Sequence, residues 1–143
     1  MAERTFYNEI LTDHNLHPQH KKKIENPDYV LEGVNPSCGD DIFLSLRLSG
    51  DTIVDVGFEG DGCAISQASA DMMAELVMGK TIAEAEHYMD LFYRMIKNEA
   101  SEEEIEELEE ASVLQDISHM PARVKCAVLG WHTLEEMLNK HKA

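Results

Sequence analysis

The sequence predicts an α+β fold, a small three-stranded antiparallel sheet with helices packed on one face. Two alternating segments, one through Ile42, Leu44, Leu46 and Leu48 and one through Val54, Val56 and Phe58, flank the turn Ser49-Gly50-Asp51. That pattern signals a hairpin. From Cys63 onward the apolar period lengthens to that of a helix. Strands grouped ahead of helices point away from a parallel sheet and toward helices on one side of an antiparallel one.

Each element has its own signal. Phe6, Tyr7, Ile10, Leu11 and His14 fall at helical spacing, so residues 4–16 are expected to form a short amphipathic helix that Pro18 ends. The basic run Lys21 to Lys23 belongs to a connector, and "YVLEGV" at 29–34 offers a third strand. Beyond Cys63, the residues Ile65, Ala68, Met72, Leu76 and Val77 trace one helical face, with Gly79 where a C-cap belongs. Thr81 with Glu84 makes a capping box for a helix whose apolar face is Ile82, Ala85, Met89, Phe92 and Ile96. Ser101 with Glu104 repeats the device before "EEEIEELEE". Val124, Ala127, Val128, Trp131, Leu134 and Leu138 mark a C-terminal helix with Pro121 near its first turn. No repeat or linker interrupts the pattern, so residues 1–143 are expected to be a single domain.

Composition narrows the function. The net charge is −16, from 12 Lys+Arg against 28 Asp+Glu. Such a field repels phosphate backbones and anionic lipid, so no nucleic acid and no membrane partner is expected. It favours a protein with a basic docking surface. No apolar run approaches the length of a membrane span, and "MAERTFYNEI" does not have the pattern of a signal peptide. An odd number of cysteines, three, suits a reducing compartment, and the cytoplasm is the expected location.

Those cysteines carry the chemistry. A lone cysteine commonly packs as a small hydrophobe, but none of these lies in an apolar run. Cys38 sits in the polar turn "NPSCGDD", where Asp40 shares its face of an extended segment, so both can reach one ion. Cys63 follows "EGDG" and opens a helix, whose free N–H groups and dipole favour a thiolate. Cys126 lies early in the last helix beside Arg123 and Lys125, whose charges are expected to lower its pKa. Zinc suits three thiolates and a carboxylate. The spacing, with 24 residues between the first two cysteines and 62 between the last two, is unlike a zinc finger and leaves metal binding open.

Other candidates carry less. His14, His17 and His20 resemble a metal cluster, but Pro18 breaks the helix that would align them. The glutamates of 102–110 form a solvated face around the stripe Ile105 and Leu108. The methionines Met72, Met73, Met78, Met89 and Met95 are core fillers.

The segments "NPSCGD", "FEGDGCAISQASADMM", "GK" at 79–80 and "PARVKCAVLGW" together resemble, in order and over nearly the whole chain, the motifs of the IscU family of iron–sulfur assembly proteins. The resemblance implies that Cys38, Asp40, Cys63 and Cys126 converge at one end of the fold. Housekeeping scaffolds of this family carry a histidine before the last cysteine, where this chain has Lys125 in "MPARVKC". The stretch from Gly79 to Cys126 is also longer here, an insertion at roughly 90–115 that includes the acidic helix. Both departures resemble the SufU branch, whose members hold zinc and take sulfur from a SufS-type cysteine desulfurase.

That likeness implies a zinc-dependent sulfurtransferase with Zn2+ on Cys38, Asp40, Cys63 and Cys126. Cys38, in the freest setting of the three, is the expected sulfur acceptor, and Arg123 shapes the site or docks the partner. Downstream lies an Fe–S scaffold or other sulfur acceptor. Two alternatives remain: an IscU-like scaffold building a [2Fe–2S] cluster on the same ligands, and an acidic interaction module whose zinc is only structural. Removing Asp40 is expected to cost less stability than removing Cys63 or Cys126.

Overall fold

The computed structural model describes residues 9–142. Helix α1 spans Glu9–Leu16, and strands β1 (Tyr29–Asn35), β2 (Asp40–Ser49) and β3 (Thr52–Asp61) follow. Then come α2 (Ala64–Val77), α3 (Ile82–Ile96), the short α4 (Glu102–Glu107), a 3-10 stretch over Glu109–His119, and α5 (Pro121–Lys142). The strands form one antiparallel sheet in the order β1-β2-β3. Helices α2 and α5 pack on its inner face, while α3 and the 3-10 stretch pack on those helices. The expected α+β architecture is the observed one. Phe6 and Tyr7, on which part of the α1 expectation rested, lie outside the described residues.

The inner face is built from alternate residues of β2, with Ile42, Leu44 and Leu46 fully buried, while Phe43 between them is 42% exposed. The expectation fails at the third residue of β3. Val54 was assigned inward with Val56 and Phe58, yet it is exposed, and Ile53 is buried in its place. The register shifts between Arg47 and Leu48. A bulge there exchanges the faces of the residues beyond it, because side chains alternate with period two.

Both capping boxes are formed, at Thr81 with Glu84 and at Ser101 with Glu104. The 3-10 stretch was not foreseen. Its buried residues Ala111, Leu114 and Ile117 continue from buried Leu108 at intervals of three. That is the 3-10 period, which stacks every third side chain on one line facing the core. At the centre of the molecule Trp131 of α5 stacks on Phe92 of α3, centroids 4.2 Å apart. Its indole N–H donates to Ser69 Oγ at 3.1 Å, and Ser69 in turn donates to the Ala127 carbonyl. The polar atom of this large buried ring is therefore satisfied.

A second polar knot fastens α1. His14 places Nδ1 2.6 Å from Asp71 of α2 and Nε2 2.5 Å from Glu110. The Asp71 hydrogen bond outweighs burial, which opposes the charge, and with help from Glu110 it raises the His14 pKa to about 9. His20 uses different atoms, its N–H donating to Asp71 and its ring meeting Glu75. The histidines thus anchor the chain entry to α2 and do not converge on an ion.

His14 therefore stabilises the fold fully below its unfolded pKa near 6.5, and this contribution is lost as pH rises through about 9. A shift of this size corresponds to about 3 kcal/mol, which solvent around half-exposed Glu110 screens to roughly 2 kcal/mol. Denaturant unfolding should show wild type ahead of His14→Asn by that margin at pH 6, with the gap closing by pH 10. A gap that does not change with pH would contradict this account.

Candidate metal centre

Three elements meet where the β1–β2 turn, the end of β3 and the start of α5 come together. Asn35 and Asp40 are paired across the hairpin, which leaves Pro36, Ser37, Cys38 and Gly39 as its loop. The Cys38 N–H donates to the Asn35 carbonyl at 3.2 Å. Gly39, at φ +73°, takes the left-handed conformation that returns the chain to β2. Cys38 is consequently half-exposed at a loop tip, while Asp40, on the inner face of the sheet, is wholly buried.

Cys63 is the N-cap of α2, its sulfur accepting from the Ser66 N–H at 3.5 Å. Its own N–H donates to Asp40 Oδ1 at 2.8 Å, and Ser66 Oγ donates to the same oxygen at 3.2 Å. Gly62 fits closely at this bend, because a Cβ there would stand 2.3 Å from Ser66 Oγ, displacing that hydroxyl, and 3.1 Å from Asp40 Oδ1. Cys126, fully buried on α5, lies 3.0 Å from Cys38 Sγ. Asn35 Nδ2 bridges the two chemistries, donating to Asp40 Oδ2 at 3.2 Å and to Cys126 Sγ at 3.6 Å.

The ligand atoms of Cys38, Asp40 and Cys126 all lie within 4.8 Å of one another, and they are the sole such group among the described residues. Ligands of one tetrahedral zinc ion, with Zn–S about 2.3 Å and Zn–O about 2.1 Å, stand roughly 3.5 Å apart, so this donor set fits one. Cys63 Sγ stands outside the compact trio, although it interacts with Cys126 and its main chain holds Asp40. Arg123 lies in the first turn of α5, three residues before Cys126 and so on the same side of the helix. It is partly buried and has an interaction partner.

One expectation needs correction, and a second is set against a network that the sequence did not reveal. The Cys126 thiol is not acidified by Arg123 and Lys125. Burial pushes its pKa well up, and the Cys38 and Cys63 thiols and the Asp40 carboxylate add to the rise. Lys125 is exposed, so its charge is spent in solvent. Asp40, conversely, does more than offer an oxygen to a metal. Burial alone would raise its pKa, but hydrogen bonds from Cys63 N–H, Cys126, Asn35 and Ser66 together bring it below the ordinary carboxylate value. This network argues against the expectation that removing Asp40 costs less stability than removing Cys63 or Cys126. Asn35 and Ser66 were not singled out from sequence, although the hairpin register already pairs Asn35 with Asp40.

Among the described residues no helix is long and apolar enough to cross a membrane. Residues 6–143 match the model of the NifU-like N-terminal domain. The zinc-dependent sulfurtransferase SufU of Bacillus subtilis is 38% identical over 96% of this chain and 92% of its own length. The iron–sulfur cluster assembly scaffold protein IscU of Thermotoga maritima is 36% identical over 98% of this chain and 97% of its own. A crystal structure from Fervidobacterium islandicum AW-1, assigned as an iron–sulfur cluster assembly scaffold protein for the SUF system, superposes with a TM-score of 0.84 at 41% identity, covering 94% of this chain and 98% of that one. Sequence motifs, sheet order and these likenesses agree, and the chain belongs to the NifU-like N-terminal domain family.

Proposed function

We propose that this protein is a zinc-dependent sulfur acceptor that takes persulfide sulfur from a SufS-type cysteine desulfurase and hands it on for iron–sulfur cluster assembly. The observation that supports it most is the compact group of Cys38, Asp40 and Cys126, with one half-exposed thiol beside two buried ligands. Cys63 completes the donor set. Zinc supplies this site with order and with ionised thiols, without redox chemistry of its own.

Cys38 performs the transfer. Its thiolate attacks the terminal sulfur of the partner's Cys–S–SH, the partner's S–S bond breaks, and the partner cysteine leaves as a thiolate. A new Cys38–S–SH forms with no net oxidation. Arg123 offers a cation on the Cys126 side of α5, where an acidic chain has few others, and acts in docking or in shaping the site. The reaction belongs in the reducing cytoplasm, where three thiols remain available.

The likeness to IscU of Thermotoga maritima favours a second reading, a scaffold that builds a [2Fe–2S] cluster on the same residues. Metal analysis of protein purified without added iron separates the two. The sulfur-acceptor reading expects about one zinc per chain, no visible absorption, and Zn–S distances of about 2.3 Å. A brown protein holding iron and acid-labile sulfide would overturn it. Zinc without any effect on desulfurase turnover would leave only a structural-zinc interaction module.

A further inference from the structure

We propose that the carboxamide of Gln67 is a positioning residue for the metal-loaded centre, donating a hydrogen bond at the edge formed by Cys63 and Asp40. The inference rests on the zinc reading above and assigns a role that none of the ligands fills. Gln67 is 5% exposed, and its Nε2 has no hydrogen-bond partner among the described residues. It lies one turn after Cys63 in α2, and long helical side chains lean back toward the N-terminus of their helix. Its Nε2 accordingly reaches the bend before Cys63. A Cβ on Gly62 would stand 3.2 Å from that nitrogen and 3.1 Å from Asp40 Oδ1, so both atoms border one small space at the centre.

The other donors here are engaged. Asn35 serves Asp40 and Cys126, while Ser66 and the Cys63 N–H serve Asp40. A buried donor without an acceptor destabilises the fold, and an apolar side chain of the same length would not. Met72 and Met73, buried further along the same helix, show that α2 accommodates such side chains in its buried surface. A spare donor becomes useful when a new acceptor forms beside it. Loading the metal does this, because a ligating Cys63 loses its proton and carries charge that a neighbouring N–H can share. Groups that hydrogen-bond to metal ligands in this way strengthen metal affinity by about 10- to 100-fold.

Gln67→Met should therefore have effects of opposite sign in the two states. Freed of metal, the variant should melt at or above the wild-type temperature. Zinc affinity, measured by competition with a chromophoric chelator at fixed pH, should fall at least about 10-fold. In the cobalt-substituted protein the sulfur-to-metal charge-transfer band should move. Gln67→Glu keeps the size and replaces the donor with a carboxylate, and should lose at least as much affinity. Unchanged zinc affinity in Gln67→Met, beside a wild type that binds one zinc, would overturn this inference alone. So would a metal-free Gln67→Met that melts lower in step with its affinity loss. A wild type that binds no zinc would overturn the metal reading and this inference with it.

Discussion

The Cys38→Ala variant is expected to fold, to bind a desulfurase, and to accept no sulfur. After incubation with a SufS-type desulfurase and cysteine, mass spectrometry of the wild type should find the extra sulfur on the peptide containing "NPSCGDD". Stimulation of repeated desulfurase turnover should fall by at least ~100-fold in the variant, the scale expected when a nucleophile is removed. The fold should tolerate the change because the loop is shaped by its backbone. The Asn35 carbonyl, the Asn35–Asp40 pairing and left-handed Gly39 all survive it. The position also gives the reason for expecting this cysteine, and not its fellows, to accept the sulfur. Cys63 caps α2 and Cys126 is enclosed on α5, so moving either toward a partner would unpack a helix. Cys38 needs only a hairpin loop to move. Full turnover by Cys38→Ala, or persulfide confined to Cys63 or Cys126, would contradict the assignment.

What the chain reveals before folding depends on how local the cause is. The capping boxes at Thr81 and Ser101 need only a side chain and a backbone N–H three residues away, and both are legible in four letters. The β2–β3 hairpin is nearly as local, since alternation and a glycine turn determine it, but the bulge at Arg47 and Leu48 that turns Val54 outward leaves no mark in the hydrophobic pattern. The 3-10 stretch carries its own signal in the sequence: Leu108, Ala111, Leu114 and Ile117 stand three apart, not three or four. At the centre, the residue types and the closeness of Cys38 to Asp40 came from the sequence, but the convergence of Cys63 and Cys126 on them came only from the family resemblance. Long-range closeness such as the 3.0 Å between Cys38 and Cys126 leaves no trace in spacing. The direction of the Cys126 pKa failed for a related reason. Sequence neighbours Arg123 and Lys125 are visible in the string, whereas the burial that decides the matter, and the Cys38, Cys63 and Asp40 side chains that add to it, are brought in by other elements.

The same distinction makes Asp40→Ala the more damaging substitution for the fold, and its effect should appear even without metal. Asp40 is buried at the junction of the sheet with α2, and its two oxygens accept from Cys63 N–H, Ser66 Oγ and Asn35 Nδ2. Alanine removes the acceptor shared by all three, and although Ser66 Oγ keeps the Cys63 carbonyl and Asn35 keeps Cys126 Sγ, the Cys63 N–H loses its partner. A buried donor left without a partner costs about 1–3 kcal/mol. Water entering past half-exposed Cys38 and Cys63 offsets part of that. A net loss of about 1–3 kcal/mol is expected in EDTA-treated protein, together with loss of tight zinc binding. Asp40→Asn should fall between, because its remaining oxygen still accepts from Cys63 while its amide opposes that of Asn35. Cys126→Ala gives the contrast. Without metal it removes a weak sulfur acceptor and one buried sulfur, so its larger deficit should emerge only when zinc is present to stabilise the wild type. Denaturant unfolding of the three variants and wild type, with EDTA and then with zinc, reads both effects. An Asp40→Ala protein as stable as wild type in EDTA would mean that the carboxylate is a ligand alone, and that α2 is held to the sheet by its apolar face without this network.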